Sequence, residues 1–179
     1  MYQPERIGLG EAMQIRDERS EDASSVRAVN LAAFETAVEA ELVDAVRDQA
    51  APIVSLVAED AGTIVGHILF SPVTLVHGPN LPMMGLAPMA VVPDRQRQGI
   101  GSRLVLEGLE RCRRSGVAAV VVVGHPAYYP RFGFVPGSRF GIGCEYDVPD
   151  DVFLIRELHQ DALRGLSGTV RYHPAFAAV

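Results

Sequence analysis

Lysine is missing from all 179 residues, and the sixteen basic side chains are every one arginine. That rules out a phosphate loop of the Gly-x-x-x-x-Gly-Lys-Ser/Thr kind, which sets a lysine on a nucleotide's terminal phosphates. Cysteine is scarce too. Cys112 and Cys144 are too few and too far apart for a metal set, which points to a reduced, cytoplasmic setting. No apolar run approaches the ~20 residues that cross a bilayer. The stretch 1–12 lacks the charged-then-apolar order of a signal peptide and is expected to be an N-terminal extension. Positive charge is in deficit, with a formal net charge of −6, which argues against nucleic acid as a partner. What the chain has is apolar content: 48% of its residues are hydrophobic, enough for one domain with a full core.

The most informative stretch runs from Leu86 to Ser102. It begins as an apolar strand, stops at Pro93, turns through a polar loop and enters a helix near Gly99. The first N–H groups of a helix lack intrahelical partners and carry the positive end of its dipole, so they suit an anion. Glycine lets the backbone approach a bulky phosphate. Arg95, Arg97 and Arg103 add positive charge around the same spot, and six of the sixteen arginines fall between Arg95 and Arg114. Local positive charge in an acidic chain points to a small anionic ligand. A dinucleotide loop would need a third glycine where Leu104 stands, and an acid after the next strand, which Val117 to Val123 does not supply.

The helix after the loop places Gly101, Leu104, Val105, Gly108, Leu109 and Cys112 on one face, with Arg103, Glu107, Glu110, Arg111, Arg113 and Arg114 opposite. Close packing on a sheet accounts for Gly101 and Gly108, but not for Gly99 or the arginines beside it.

Before that stretch, Met13 to Arg16 reads as a strand, and Ser20 as the cap of a helix carrying Val26, Val29 and Ala33. Phe34 to Ala37 connects it to a second helix with Val38, Leu42, Ala45 and Val46. Ile53 to Glu59 and Thr63 to Val76 form a hairpin around Asp60-Ala61-Gly62. Pro72 should bend or fray its second strand, and His67 within it reads as a satisfied structural histidine. Met83 to Val92 is the strand ahead of the loop, with Pro88 marking an edge or a bulge. Val117 to Val123 suits a strand buried on both faces. Val135 to Asp150 reads as a glycine-rich loop, Val152 to Leu158 as a last strand, and Ser167 to Val179 as a tail apolar enough to dock on the body or on a second subunit.

Two motifs stand in order about 30 residues apart with a strand between them. Gln96-x-x-Gly99-x-Gly101 and the later Tyr128-Tyr129-Pro130-Arg131-Phe132-Gly133-Phe134 together resemble the two signatures of the GNAT superfamily of acyl-CoA-dependent N-acyltransferases, in particular a bacterial branch of predicted acetyltransferases. The likeness covers roughly Met13 to Leu158. It implies an α/β fold with a central, mostly antiparallel mixed sheet, a splayed bulged strand and about four flanking helices. The domain would span 13–160, with 161–179 as a docked tail. It implies acetyl-CoA as acyl donor, with its pyrophosphate held by the loop of Gln96, Arg97, Gln98, Gly99, Ile100, Gly101 and Ser102. The amides of Met89, Ala90 and Val91 would bind the thioester carbonyl and the pantetheine arm. Tyr129, with an ordinary pKa near ~10, would return a proton to the departing thiolate.

Two departures stand out. Val122 occupies a position, seven residues before Tyr129, where the family often has asparagine. The strand residues Met89 to Val92 offer no glutamate as general base. His125, Glu35, Glu145, Asp147 or ordered water remain candidates for that role. The expected reaction is acetyl transfer to a primary amine, a small molecule or a peptide, in a monomer or homodimer without nucleic acid, membrane or metal. Glu35, Glu39, Glu145 and Asp147 would suit a cationic acceptor. The alternative is a non-catalytic acyl-CoA sensor or interaction module on the same scaffold.

Overall fold

The computed structural model describes residues 13–178, so the extension expected over 1–12 lies outside the described residues. Strand β1 (Gln14–Asp17) leads through a short 3-10 turn to helices α1 (Ala23–Ala33) and α2 (Val38–Gln49). The hairpin β2 (Val54–Asp60) and β3 (Thr63–Val76) follows, then β4 (Met83–Val91), helix α3 (Ile100–Arg114) and β5 (Ala119–Val123). The chain ends through β6 (Val135–Pro136), β7 (Ile142–Cys144), β8 (Phe153–Glu157) and β9 (Gly168–Arg171). The sheet runs β1-β2-β3-β4-β5-β8-β6, with β9 joining β3 to β7. Its pairs are antiparallel except β4–β5 and β7–β9.

This is the expected mixed α/β architecture with a mostly antiparallel sheet. Of the helices, three are α among the described residues. The stretch after β5 forms only a 3-10 turn, Tyr129–Phe132, which ends where Gly133 leaves the helical region at φ 83°. Strands also form in two stretches without strand-like periodicity, β6 among them. β7 lies in the glycine-rich loop, and β9 in the tail is laid between β3 and β7.

Helix α3 buries Leu104, Val105, Leu109 and Cys112 against Leu56, Ile68, Phe70 and Leu86, each large side chain contributing roughly 1.5–3 kcal/mol. Gly108 allows that approach, since a Cβ there would meet Phe70 Cε2 at 2.2 Å. On the other face Val26, Leu42, Val43 and Val46 cover Val57 and Leu69. A third cluster gathers Ile142, Phe153, Ile155, Val170 and Tyr172.

Two prolines shape the middle of the sheet. β3 passes through Pro72, which pairs with Met84, and two residues later it exchanges β4 for β9. In β4 the register slips where Ala87 and Pro88 stand opposite Leu69 alone, since Ile68 faces Met89 and Phe70 faces Leu86. That is a bulge, one residue too many on the proline's strand.

Candidate active site

β4 and β5 run together only briefly. Met83, Met84 and Gly85 pair with Ala119, Val120 and Val121, and beyond Gly85 the two strands part. From the bulge onward β4 stays with β3, so its other edge is left open. Val92 donates its amide to the Val65 carbonyl on β3 (3.0 Å), whereas Val91 turns its carbonyl the other way, toward Gln96 Nε2 (2.9 Å). Backbone groups alternate along a strand. The amides of Met89 and Val91 therefore face the open edge, and that of Ala90 faces β3.

Beyond β4 the chain turns twice into the left-handed region, at Arg97 (φ 57°) and Gly99 (φ 83°). Alternating handedness of this kind makes successive N–H groups converge into an anion-binding concavity. The first intrahelical bond of α3 runs from the Arg103 amide to the Gly99 carbonyl (3.1 Å). The amides of residues 97–102 donate to no acceptor among the described residues and point out of the start of α3 with its positive dipole end. A Cβ on Gly99 would meet nothing within 4 Å. The cradle is open, its donors are free, and a diphosphate fits it.

A cleft of about 740 Å³ joins these parts. Met89, Val91, Gln96, Arg97, Gly99, Gly101, Ser102 and Tyr129 line it. Ala90 and Ile100 are buried in the core, so only their backbone could serve a ligand. Gln98 is exposed, its amide nitrogen donating to the Asp94 carbonyl (3.2 Å) and its oxygen accepting from Arg95 Nε (3.3 Å). The three arginines expected around the loop differ in their commitments. Arg95 lines the cleft but pairs with Asp60 (2.6 Å), and Arg103 donates to the Met13 carbonyl (3.0 Å). Arg97 has no carboxylate partner among the described residues.

Tyr129 is 8% exposed and packs edge-on between Tyr128 and Phe134, at centroid distances of 5.1 and 5.6 Å. Burial, helped by Tyr128, pushes its phenol up to about 12. The hydroxyl is therefore neutral throughout the physiological range. Gly124 completes the seat.

Three cleft residues had no role apparent in the sequence: Gly124, Tyr128 and Arg131. A signal existed for Arg131, which occupies the basic position of the second motif. Among the candidate bases His125 lines the cleft. Glu145 accepts the Tyr172 amide (2.6 Å), and Asp147 lines a separate hollow of about 420 Å³. His67 is fully buried and bonded to Asn30 and Ser55, away from the cleft lining. Among the described residues no group of three or more His, Cys, Asp or Glu side chains could hold a metal, and no helix is long and apolar enough to cross a membrane.

A strand parted from its parallel neighbour, beside an amide cradle and a buried tyrosine, defines an acyltransferase of the kind the two motifs suggested. Residues 14–137 match the acetyltransferase (GNAT) domain, and the chain belongs to that family. It is 39% identical over 165 residues to the uncharacterized N-acetyltransferase YhbS of Escherichia coli K12, covering 92% of this chain and 98% of that one. The crystal structure of YhbS from Escherichia coli in complex with CoA superposes with a TM-score of 0.87 at 36% identity, over 93% of this chain and 92% of that chain. A GNAT acetyltransferase from Brucella melitensis in complex with acetyl-CoA gives 0.75 at 37% identity, over 92% and 97%.

Proposed function

We propose that the protein moves an acetyl group from acetyl-CoA to a primary amine by direct attack, within one domain that includes the tail. The observation that carries this reading is the convergence of the open β4 edge, the free amides of 97–102 and the Tyr129 phenol on one cleft. The CoA and acetyl-CoA complexes of its relatives support the choice of donor. The amides of residues 97–102 would hold the diphosphate, and those of Met89 and Val91 the arm and the thioester oxygen. A backbone donor at a developing oxyanion is worth about 3–4 kcal/mol.

In the reaction the amine nitrogen bonds to the acetyl carbon, the C–S bond breaks, and Tyr129 passes its proton to sulfur. The tyrosine regains a proton as the former amine sheds one. With the phenol at about 12 and a thiol near ~8.5, complete transfer from tyrosine to thiolate is uphill. Tyr129 accordingly acts as a hydrogen-bond donor while the bond breaks, and the proton crosses late. His125 is the candidate base that shares this cleft. Cys112 and Cys144 are free thiols, which suits a reducing cytoplasm.

Incubation with acetyl-CoA and a panel of primary amines, read by thiol release, tests the proposal. Amine-dependent release is expected. Tight CoA binding with no release across the panel would instead make the protein a sensor.

A further inference from the structure

We propose that Arg131 binds the 3′-phosphomonoester of the donor's nucleotide and so distinguishes coenzyme A from its 3′-dephospho form. This rests on the reading above that the cleft takes coenzyme A. Most described arginines outside the cleft, such as Arg16, Arg27, Arg47 and Arg111, close on carboxylates, though Arg139 and Arg171 do not. Arg97 and Arg131 both line the cleft, and neither has a carboxylate partner among the described residues. In a chain with a net charge of −6, two uncommitted guanidinium groups on one cleft form a local surplus of positive charge. The free amides of 97–102 already satisfy a diphosphate, so the surplus calls for a further anion on the same ligand. Coenzyme A carries one, a phosphomonoester with ≈ −1.5 to −2 charge at neutral pH.

Arg131 is also held in advance. Its Cζ lies 4.6 Å from the centroid of the Tyr128 ring, and its Nε donates to the Tyr128 carbonyl at 2.9 Å. Tyr128 is itself fixed, edge-on to Tyr129 and Phe132. A hydroxyl from the same ring comes within 3.1 Å of where a Cβ on Gly101 would stand, which sets this aromatic shelf directly beside the phosphate cradle. With Nε and the guanidinium face occupied, the two terminal nitrogens remain as a planar fork of donors, the geometry that matches a phosphate. A side chain fixed before binding loses little freedom when the ligand arrives.

Calorimetric titration of the purified wild type, Arg131→Ala and Arg131→Gln with coenzyme A and with 3′-dephospho-coenzyme A tests the assignment without turnover. The wild type is expected to bind coenzyme A about tenfold more tightly than the dephospho form, the size of one charge-assisted contact. Both variants should bring that ratio close to one while leaving dephospho-coenzyme A affinity within about twofold. A ratio unchanged in the variants, a ratio already near one in the wild type, or equal losses for both ligands would overturn the assignment. A wild type that binds neither ligand would defeat the reading of the cleft itself.

Discussion

Gly124 and Tyr129 are in contact so close that a methyl group on the glycine would stand 2.4 Å from Tyr129 Cε2 and 2.9 Å from Cδ2. The ring has nowhere to retreat, because Tyr128 and Phe134 hold its other sides. Gly124→Ala should therefore displace the phenol. A shift of about 1 Å in a reacting group costs on the order of 10²-fold in rate. The expected result is a fall of that size in kcat with CoA affinity within a few fold of wild type. Wild-type kcat in this variant would show that the seat of the ring does not matter to the reaction.

Tyr129→Phe keeps the ring and removes the proton. Turnover should fall about 10²-fold, the lower range for a positioned acid, while acetyl-CoA binding by calorimetry stays as in wild type. The phenol also ties stability to alkaline pH. Its folded pKa of about 12 exceeds the ordinary 10.0, so the folded protein holds a proton that the unfolded chain gives up. The associated stability is intact below pH 10 and is lost as pH rises from there toward 12. Melts across that range should show a shallower decline in Tyr129→Phe. Unaltered turnover in the variant would remove Tyr129 from the mechanism.

Gly99 separates backbone strain from ligand exclusion. At φ 83° any side chain is strained, by about 1–2 kcal/mol, yet a Cβ there meets nothing within 4 Å. Gly99→Ala should lower the melting temperature slightly and weaken CoA binding modestly. Gly99→Glu adds bulk and negative charge at the mouth of the cradle and should abolish binding while melting like the alanine variant. Retained affinity in Gly99→Glu would move the diphosphate elsewhere.

The cradle was legible because its chemistry is local, whereas Tyr129 was singled out only by the resemblance of its motif. A strand, a glycine turn and a helix start lie within about 17 consecutive residues, and Pro88 marks the bulge by its missing amide. What escaped is non-local. Gly124 matters through a ring five residues on that folds back over it, and Tyr128 through its place beside Gly101. β7 and β9 are short and contain glycine, and they are held by partners far away in the chain, β7 by β9 and β9 by β3 and β7. The division of labour between Ala90 and its neighbours also depends on which edge of β4 meets β3, a register no single strand reveals.

Helix α3 offers a test of packing separate from the chemistry. Gly108→Ala gains about 1 kcal/mol of helix propensity, but its methyl would stand 2.2 Å from Cε2 of the fully buried Phe70. Overpacking of this kind costs typically 1–3 kcal/mol, more where the neighbour cannot yield. The clash should win. A drop of roughly 5 °C in melting temperature is expected for a chain of this size, and a rise would show that Phe70 has room to turn.

Glu18 links β1, β2, β3 and α2 through Ser55, His67 and Arg47, the last at 2.6 Å. Burial pushes its carboxyl up, but the imidazole of His67 close by, the hydrogen bond donated by Ser55 and the charge of Arg47 more than reverse this and carry it from 4.5 to about 2. The folded carboxylate thus stays ionised where the unfolded one takes a proton. The stability owed to this carboxylate is complete above pH 4.5 and is lost as pH falls toward 2, by on the order of 3 kcal/mol. His67 adds to the same trend from higher pH. Burial lowers its pKa below the ordinary 6.5, so the unfolded chain binds a proton that the folded one refuses, and stability begins to fall once pH drops through 6.5. Urea melts of the wild type should therefore show one continuous decline from pH 6.5 downward. Glu18→Gln should be less stable at neutral pH and should lose the part of the slope below pH 4.5, while the part owed to His67 persists. An unchanged slope below pH 4.5 in Glu18→Gln would place the acid sensitivity in other carboxylates.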